Sequence, residues 1–152
     1  MRPSDVTDQT LINASPDLVY RAIVDEHDGK TSWWMPHYSM ELRSGDSYED
    51  VGTLLNNTVR VHGRFPIRFI TKTVEVEPNE KIGVEYVGGA FRGKALWGFE
   101  NVDGNTNLSL RWRTTPAGAL RILAPLLPVE KSHSDTTKAG FENLRAFLAD
   151  GS

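Results

Sequence analysis

The spacing of apolar residues changes twice along this chain, and that change restricts the possible folds more than any other feature. Between Tyr38 and Trp112, apolar residues recur mainly at every second position, which is typical of strands that bury one face. Before this stretch, and again after Pro116, the apolar spacing is that of helices. The sequence therefore predicts a first strand, a helical segment, a run of antiparallel strands and a final helix. With roughly seven strands in all, this is an α+β fold.

The first helical segment has a recognisable beginning and end. Ser15 is placed to cap the helix, Pro16 suits its first position, and Asp28-Gly29 marks its end. The predicted buried stripe consists of Leu18, Val19, Ala22 and Ile23. Residues 30–35 are predicted to form a second short helix, which proline at position 36 ends.

Turn residues divide the middle of the chain into strands. Pro78-Asn79, Gly88-Gly89 and Asp103-Gly104 each follow an apolar strand at hairpin spacing. Before the first of these turns, the alternation slips by one position and resumes at Val74 and Val76, which predicts a β-bulge within residues 71–73. Alternation between the turns predicts one inward face, made of Ile82, Val84, Tyr86, Ala95, Trp97, Phe99, Leu108, Leu110 and Trp112.

Composition argues against several classes of function. The chain of 152 residues has 17 basic and 20 acidic residues and a net charge of -3, without the basic footprint usual in nucleic-acid binding. It contains no cysteine, so disulfides and Cys-based zinc sites are excluded. The four histidines lack the close spacing of a metal site, and we expect neither a metal nor another cofactor; they are His27, His37, His62 and His133.

The length suits one domain, which we take to be residues 1–152. The N-terminus lacks the apolar run of a secretory signal, and no stretch approaches the ~20 apolar residues of a membrane span. We therefore expect a cytoplasmic protein with no integral membrane segment. These features leave the oligomeric state open.

Several local motifs follow one another in a fixed order. Thr10-Leu-Ile-Asn-Ala-Ser-Pro-Asp-Leu-Val-Tyr20 leads from the first strand into a helix that starts with proline. Val74-Glu-Val-Glu-Pro78, Gly88-Gly-Ala-Phe-Arg-Gly93 and the hairpin at Gly104-Asn-Thr106 come next, and a segment rich in Leu and Pro precedes the final helix. In this order the motifs resemble the START-like superfamily, also called SRPBCC or polyketide cyclase/dehydrase, over nearly the whole chain.

The resemblance implies a helix-grip fold, in which a curved antiparallel sheet wraps around a long C-terminal helix and encloses a cavity. Members of the superfamily bind lipids, polyketides, steroids and other apolar molecules, and some catalyse cyclisation or dehydration. They share no universal catalytic motif. The resemblance therefore implies a small hydrophobic ligand as partner, and it identifies no catalytic residue.

The residues expected around such a cavity are those that the alternation turns inward. Aromatic side chains would converge there, with Gly93 and Ala95 leaving room beside them; alternatively, the aromatic side chains fill an ordinary core. The aromatic candidates are Trp33, Trp34, Phe69, Tyr86, Trp97 and Trp112.

The final helix has an apolar stripe that becomes polar towards its N-terminus. The apolar part of this stripe consists of Phe141, Leu144 and Leu148. Extended towards the N-terminus, the stripe reaches Thr137 and Ser134, and then His133 or Glu130. This pattern indicates either a polar ligand group in the cavity or a solvated end of the helix. We predict ligand contacts at Trp34, Met40, Phe69, Tyr86, Trp97, Trp112, His133 and Thr137.

Two other functions remain open. A polyketide cyclase or dehydratase would need a titratable group in the cavity, for which His133, Tyr86 and Glu130 are the candidates. A protein-interaction module, like the chaperone-stimulating branch of the superfamily, would have a filled core and an exposed apolar patch. The segment 125–133, with Pro125 and Pro128, forms either a lid or only the approach to the last helix.

Outward-facing charges argue against the cyclase. Four arginines alternate with inward apolar residues, so they are predicted to point to solvent and not to a substrate carbonyl; they are Arg60, Arg68, Arg111 and Arg113. By the same alternation, His37 and His62 are predicted on the outer face.

Overall fold

A computed structural model describes residues 3–61 and 65–151 of the chain. The strands are β1 (Ser4–Ile12), β2 (Tyr38–Ser44), β3 (Leu54–Val61), β4 (Phe65–Glu77), β5 (Lys81–Gly89), β6 (Phe91–Val102) and β7 (Asn105–Pro116). The helices are α1 (Pro16–His27), α2 (Ala119–Leu123) and α3 (Val129–Gly151), and a 3₁₀ turn over Ala124–Leu126 joins the last two.

The strands form one antiparallel sheet in the order β1-β7-β6-β5-β4-β3-β2. Short turns join β4 through β7, and Asn79 and Asp103 adopt the left-handed conformation there, with φ of 66° and 53°. All nine side chains predicted to face inward are buried. The predicted α+β helix-grip arrangement, a curved sheet around a long C-terminal helix, is confirmed.

Strand β4 is irregular close to the predicted β-bulge, but residues 71–73 themselves pair regularly with β5, which corrects the predicted position. The register with β5 shifts between Ile70 and Thr71 and again between Thr73 and Glu75. Thr71 and Thr73 are buried on the inner face, whereas Val74 is 43% exposed. The prediction that Val74 resumes the inward pattern is therefore wrong, because Val74 lies at the register shift and turns to solvent.

Helix α1 begins where the sequence predicts, but its buried face is rotated. The hydroxyl of Ser15 donates to the carboxylate of Asp17 at 2.5 Å, and no side-chain cap of a backbone N–H forms. Leu18 is 54% exposed, which corrects its place in the predicted stripe. The residues of α1 that are buried are Val19, Tyr20, Ala22, Ile23, Val24, Glu26 and His27.

The second short helix predicted after β1 is absent from the described residues, and turns occupy residues 33–37 instead. The buried carboxylate of Glu26 accepts hydrogen bonds from the main-chain N–H groups of Trp33 at 3.0 Å and Trp34 at 2.9 Å, and from the Thr31 hydroxyl at 2.6 Å. The chain folds around this carboxylate, so these N–H groups are satisfied without a helix. The short helical elements that the structure does contain, α2 and the 3₁₀ turn, lie directly before α3.

Helix α3 packs across the sheet and is tied to β1 by polar contacts. Arg145 Nη2 donates to Thr10 Oγ1 at 2.6 Å and to the carbonyl of Leu11 at 3.1 Å, and the Ser134 hydroxyl donates to Asp8 Oδ2 at 3.0 Å. Within the described ranges, no helix is both long and apolar enough to cross a membrane.

Candidate ligand-binding cavity

A cavity lies between the inner face of the sheet, the end of α1 and the first half of α3. Its volume is about 80 Å³. A single water needs roughly 10–15 Å³, so the space is several times larger than one water requires. Its walls are mostly aromatic and aliphatic, as is usual for sites that bind small molecules.

Most of the predicted contacts lie on this cavity. Trp34, Phe69, Tyr86, Trp97, Trp112, His133 and Thr137 line it. Their role in binding a ligand stays a prediction.

Met40, Trp33 and Gly93 are not among the lining residues. Met40 is half-buried against the core on β2, where Tyr38, two residues earlier, is the residue that lines the cavity. Gly93 is exposed, and the small lining residue is Ala95. The inclusion of Met40 and Gly93 in the cavity wall is thus corrected.

Sheet aromatic residues form a connected group along one wall. The rings of Phe69 and Tyr86 stack with their centroids 5.3 Å apart. Phe91 meets Phe69 and Trp112 edge to face, each at 5.4 Å. Phe91 was missed in the sequence analysis, although it shares the parity of Ala95 and lies two residues after Gly89.

Trp34 connects the loop after α1 to α3. Its indole Nε1 donates to the carbonyl oxygen of Thr136 at 3.0 Å. Its ring stacks on Tyr38 at 4.6 Å and meets Trp97 at an angle at 6.0 Å. Because Glu26 holds the main chain of this loop, the ring is fixed from both sides.

His27 is a lining residue that the sequence reasoning did not assign to the site. It is 4% exposed and stacks on Tyr48 with ring centroids 4.0 Å apart and planes 10° apart. Its Nδ1 lies 2.7 Å from the carbonyl oxygen of Ile23. Burial lowers the pKa of His27 to about 4, so the ring is neutral at pH 7. The spacing of four from Val19 to Ile23 to His27 is the signal that could have found it.

His133 occupies the opposite side of the cavity, on the first turns of α3. It stacks on Trp112 with centroids 4.1 Å apart and planes 10° apart. The Thr137 hydroxyl donates to the carbonyl oxygen of His133 at 2.9 Å and lies 3.5 Å from Nε2. Burial lowers the pKa of His133 to about 4 as well.

The other polar groups at the cavity are neutral. The Tyr38 hydroxyl donates to Asn57 Oδ1 at 2.8 Å, and the Asn57 amide donates to Thr71 Oγ1 at 3.1 Å. Burial raises the pKa of Tyr38, Tyr48 and Tyr86, so these phenols keep their protons. The described lining residues include no Asp, Glu, Lys or Arg.

Glu130, one of the candidate acid/base groups, is exposed and does not line the cavity. The stripe that faces the cavity has the helical spacing i, i+3, i+4, i+7 and i+8, and consists of Val129, Ser132, His133, Thr136 and Thr137. Position 130 is one residue out of phase with this stripe. The prediction for Glu130 is therefore corrected.

The four arginines predicted to point outward are exposed, namely Arg60, Arg68, Arg111 and Arg113. Two of them pair with Asp5, Arg111 at 2.9 Å and Arg113 at 3.6 Å. His37 is exposed as predicted, whereas His62 lies outside the described residues.

The segment before α3 forms part of the cavity wall. Leu120, Leu127 and Val129 line the cavity, while Ile122 and Leu126 of the same segment are 79% and 81% exposed. The chain therefore has both an internal cavity and an exposed apolar group. The cavity counts against the interaction-module alternative, which requires a filled core.

Comparison with known proteins places this architecture in a family. Residues 3–148 match the family described as polyketide cyclase / dehydrase and lipid transport. No curated protein matches the sequence.

Solved structures with a similar fold cover almost the whole chain. Protein TTHA0849 from Thermus thermophilus is 20% identical with a TM-score of 0.76, covering 98% of this chain and 99% of its own. A START superfamily protein from Mycobacterium smegmatis is 15% identical with a TM-score of 0.73, covering 97% and 99%. Ara h 8.0201 is 15% identical with a TM-score of 0.71, again covering 97% and 99%. The fold and the family match together confirm the START-like resemblance, and the chain belongs to the polyketide cyclase / dehydrase and lipid transport family.

Proposed function

We propose that this chain binds a small, uncharged, hydrophobic molecule in the cavity between the sheet and α3. The observation that supports the proposal is the chemistry of the lining, which combines aromatic and aliphatic side chains with neutral hydrogen-bonding groups. An ionic group entering this site would lose its hydration without gaining a counter-ion, which costs free energy. Uncharged polyketides and aromatic metabolites therefore fit the site better than free fatty acids do.

Binding is proposed in preference to catalysis because of the titratable groups at the cavity. With Glu130 exposed, the acid/base candidates from the sequence reduce to His133 and Tyr86. A general base works best when its pKa lies near the working pH, whereas the pKa of His133 is lowered to about 4. A phenol with a raised pKa is likewise a weak acid. These groups are better suited to hold a ligand than to transfer its protons.

Filling the cavity tests the proposal. Ala95 is buried on the lining, and Ala95→Leu would place three more carbon atoms in the space. The matched control is Ala146→Leu, the same change at an exposed position of α3. We would measure binding by titration calorimetry with an uncharged aromatic polyketide, a sterol and a fatty acid.

The proposal expects at least one uncharged probe to bind, and Ala95→Leu to weaken its binding by about tenfold or more. Ala146→Leu should bind as the unchanged chain does. Equal affinity in all three proteins would place the ligand elsewhere, and the proposal would then be wrong.

A further inference from the structure

His27 presents a hydrogen-bond acceptor whose protonation is fixed by the main chain. The carbonyl oxygen of Ile23 can only accept a hydrogen bond, so Nδ1 at 2.7 Å must carry the proton of the neutral ring. The nearby Asp28 carboxylate favours protonation of His27, yet burial outweighs it and the ring stays neutral. Nε2 is consequently unprotonated and offers a lone pair.

The position of that lone pair relates it to the cavity. The two ring nitrogens point in nearly opposite directions, and Nδ1 is turned towards the main chain of α1. Nε2 is therefore turned away from α1, and the ring is one of those that line the cavity. In the part of the chain that the structure describes, His27 makes its hydrogen bond through Nδ1, and no group bonds to Nε2. An acceptor that faces an apolar cavity is stabilised by a donor from outside the chain.

The surrounding rings restrict which donor can reach Nε2. Tyr48 covers one face of the imidazole, and Trp34 and Trp97 lie edge-on with centroids 6.2 Å and 6.1 Å away. A donor carried on a flat apolar molecule could contact these rings while it reaches the nitrogen. A cationic donor would find no carboxylate on the described lining.

Three other polar residues of the cavity, Tyr38, Asn57 and His133, already have partners within the chain. The proton of the Tyr38 hydroxyl is used by Asn57, and the Asn57 amide has its own acceptors. At His133, Nε2 lies beside the Thr137 hydroxyl, whose own proton goes to the His133 carbonyl, so this hydroxyl is placed to accept and not to donate. Among the described residues, no carbonyl accepts from the His133 ring as that of Ile23 accepts from His27.

We propose that Nε2 of His27 accepts a hydrogen bond from a hydroxyl group of an uncharged aromatic ligand, and so selects aromatic alcohols and phenols over hydrocarbons of the same shape. This inference rests on the proposed function, since it assumes that the cavity is the binding site. It adds the class of ligand and the residue that recognises it.

A pair of probes of equal shape tests the selection. In p-cresol and p-xylene, a hydroxyl on one ring takes the place of a methyl on the other. We would measure both dissociation constants for the unchanged chain, for His27→Phe and for His133→Phe. The ratio of the p-xylene Kd to the p-cresol Kd should fall by about fivefold in His27→Phe, as expected for the loss of one hydrogen bond, and should be unchanged in His133→Phe.

Nitrogen NMR of the unchanged chain, labelled with ¹⁵N in histidine, gives a second measurement that does not depend on a variant folding. The resonance of the unprotonated Nε2 of His27 should move upfield when p-cresol is added, and should not do so with p-xylene. Binding of both probes with no selective shift and with equal ratios in all three proteins would overturn the role of His27 while leaving the proposed function intact. Failure of p-cresol, p-xylene and the larger uncharged probes to bind at all would overturn both.

Discussion

The indole ring of Trp34 lies against Gly140 so closely that a Cβ added at position 140 would come within 2.5 Å of Nε1. The same nitrogen donates to the carbonyl of Thr136, one turn earlier on α3. These contacts join the loop after α1 to the final helix, and they form one side of the cavity. The stability of the protein should therefore be sensitive to changes on either side of this connection.

Gly140→Ala should destabilise the protein even though alanine favours helices. Helix propensity alone would make the change stabilising by about 1 kcal/mol. The added methyl group has to displace Trp34, and overpacking of this kind costs roughly 1–3 kcal/mol. Urea denaturation measures the difference, with Lys138→Ala as the control at an exposed position of α3. A gain in stability for Gly140→Ala would contradict the packing described here.

Glu26→Gln should loosen the loop that carries Trp34. The carboxylate accepts from two main-chain N–H groups and one hydroxyl, whereas the amide of glutamine brings a donor to a place that needs acceptors. We expect a loss of about 1–3 kcal/mol in the free energy of unfolding and a red shift of tryptophan fluorescence. Glu85→Gln, at an exposed position on β5, is the control and should change neither quantity. An unaltered emission maximum in Glu26→Gln would mean that Glu26 does not position Trp34.

Stability should fall as the pH is lowered from about 6.5 to about 4, because of the two cavity histidines. Burial lowers the pKa of His27 and His133 from 6.5 to about 4, so in this range the unfolded chain binds protons that the folded chain does not. Their contribution is complete above pH 6.5 and is lost as the pH falls towards 4. For His27 the full effect is about 3 kcal/mol.

Chemical denaturation at several pH values measures this dependence. His27→Phe should flatten the slope between pH 6.5 and 4, since phenylalanine takes up no proton in either state. A slope equal to that of the unchanged chain would show that His27 is protonated in the folded protein at these pH values.

The repeating elements could be predicted from the sequence because alternation reports directly on burial. The inward residues of β5, β6 and β7 each have neighbours two positions away that share their environment, so the pattern identifies them without any tertiary information. An irregularity in β4 was visible for the same reason, although it lies at Val74 and not within residues 71–73. The outward direction of the Val74 side chain could not be predicted, since a register shift depends on the partner strand.

Parts of the candidate site could not be predicted because they depend on contacts between distant segments. Tyr48 lies in the loop between β2 and β3, where no periodicity fixes the direction of a side chain. The helix predicted over residues 30–35 was wrong because Glu26, on the preceding helix, takes up the N–H groups of Trp33 and Trp34. Glu130 was predicted at the cavity, but the cavity-facing stripe of α3 passes through Val129, one residue earlier.

The most direct test of internal binding is a two-dimensional NMR titration with an uncharged aromatic probe such as p-cresol. The cavity account predicts that the indole N–H signals of Trp97 and Trp112 shift with the probe and saturate, because both rings line the cavity. The chemical shift of the Leu96 amide should not change, because Leu96 is exposed on the outer face of β6. Shifts confined to Ile122, Leu123 and Leu126 would instead indicate contact with the exposed apolar segment, and would contradict the claim that the ligand is held inside.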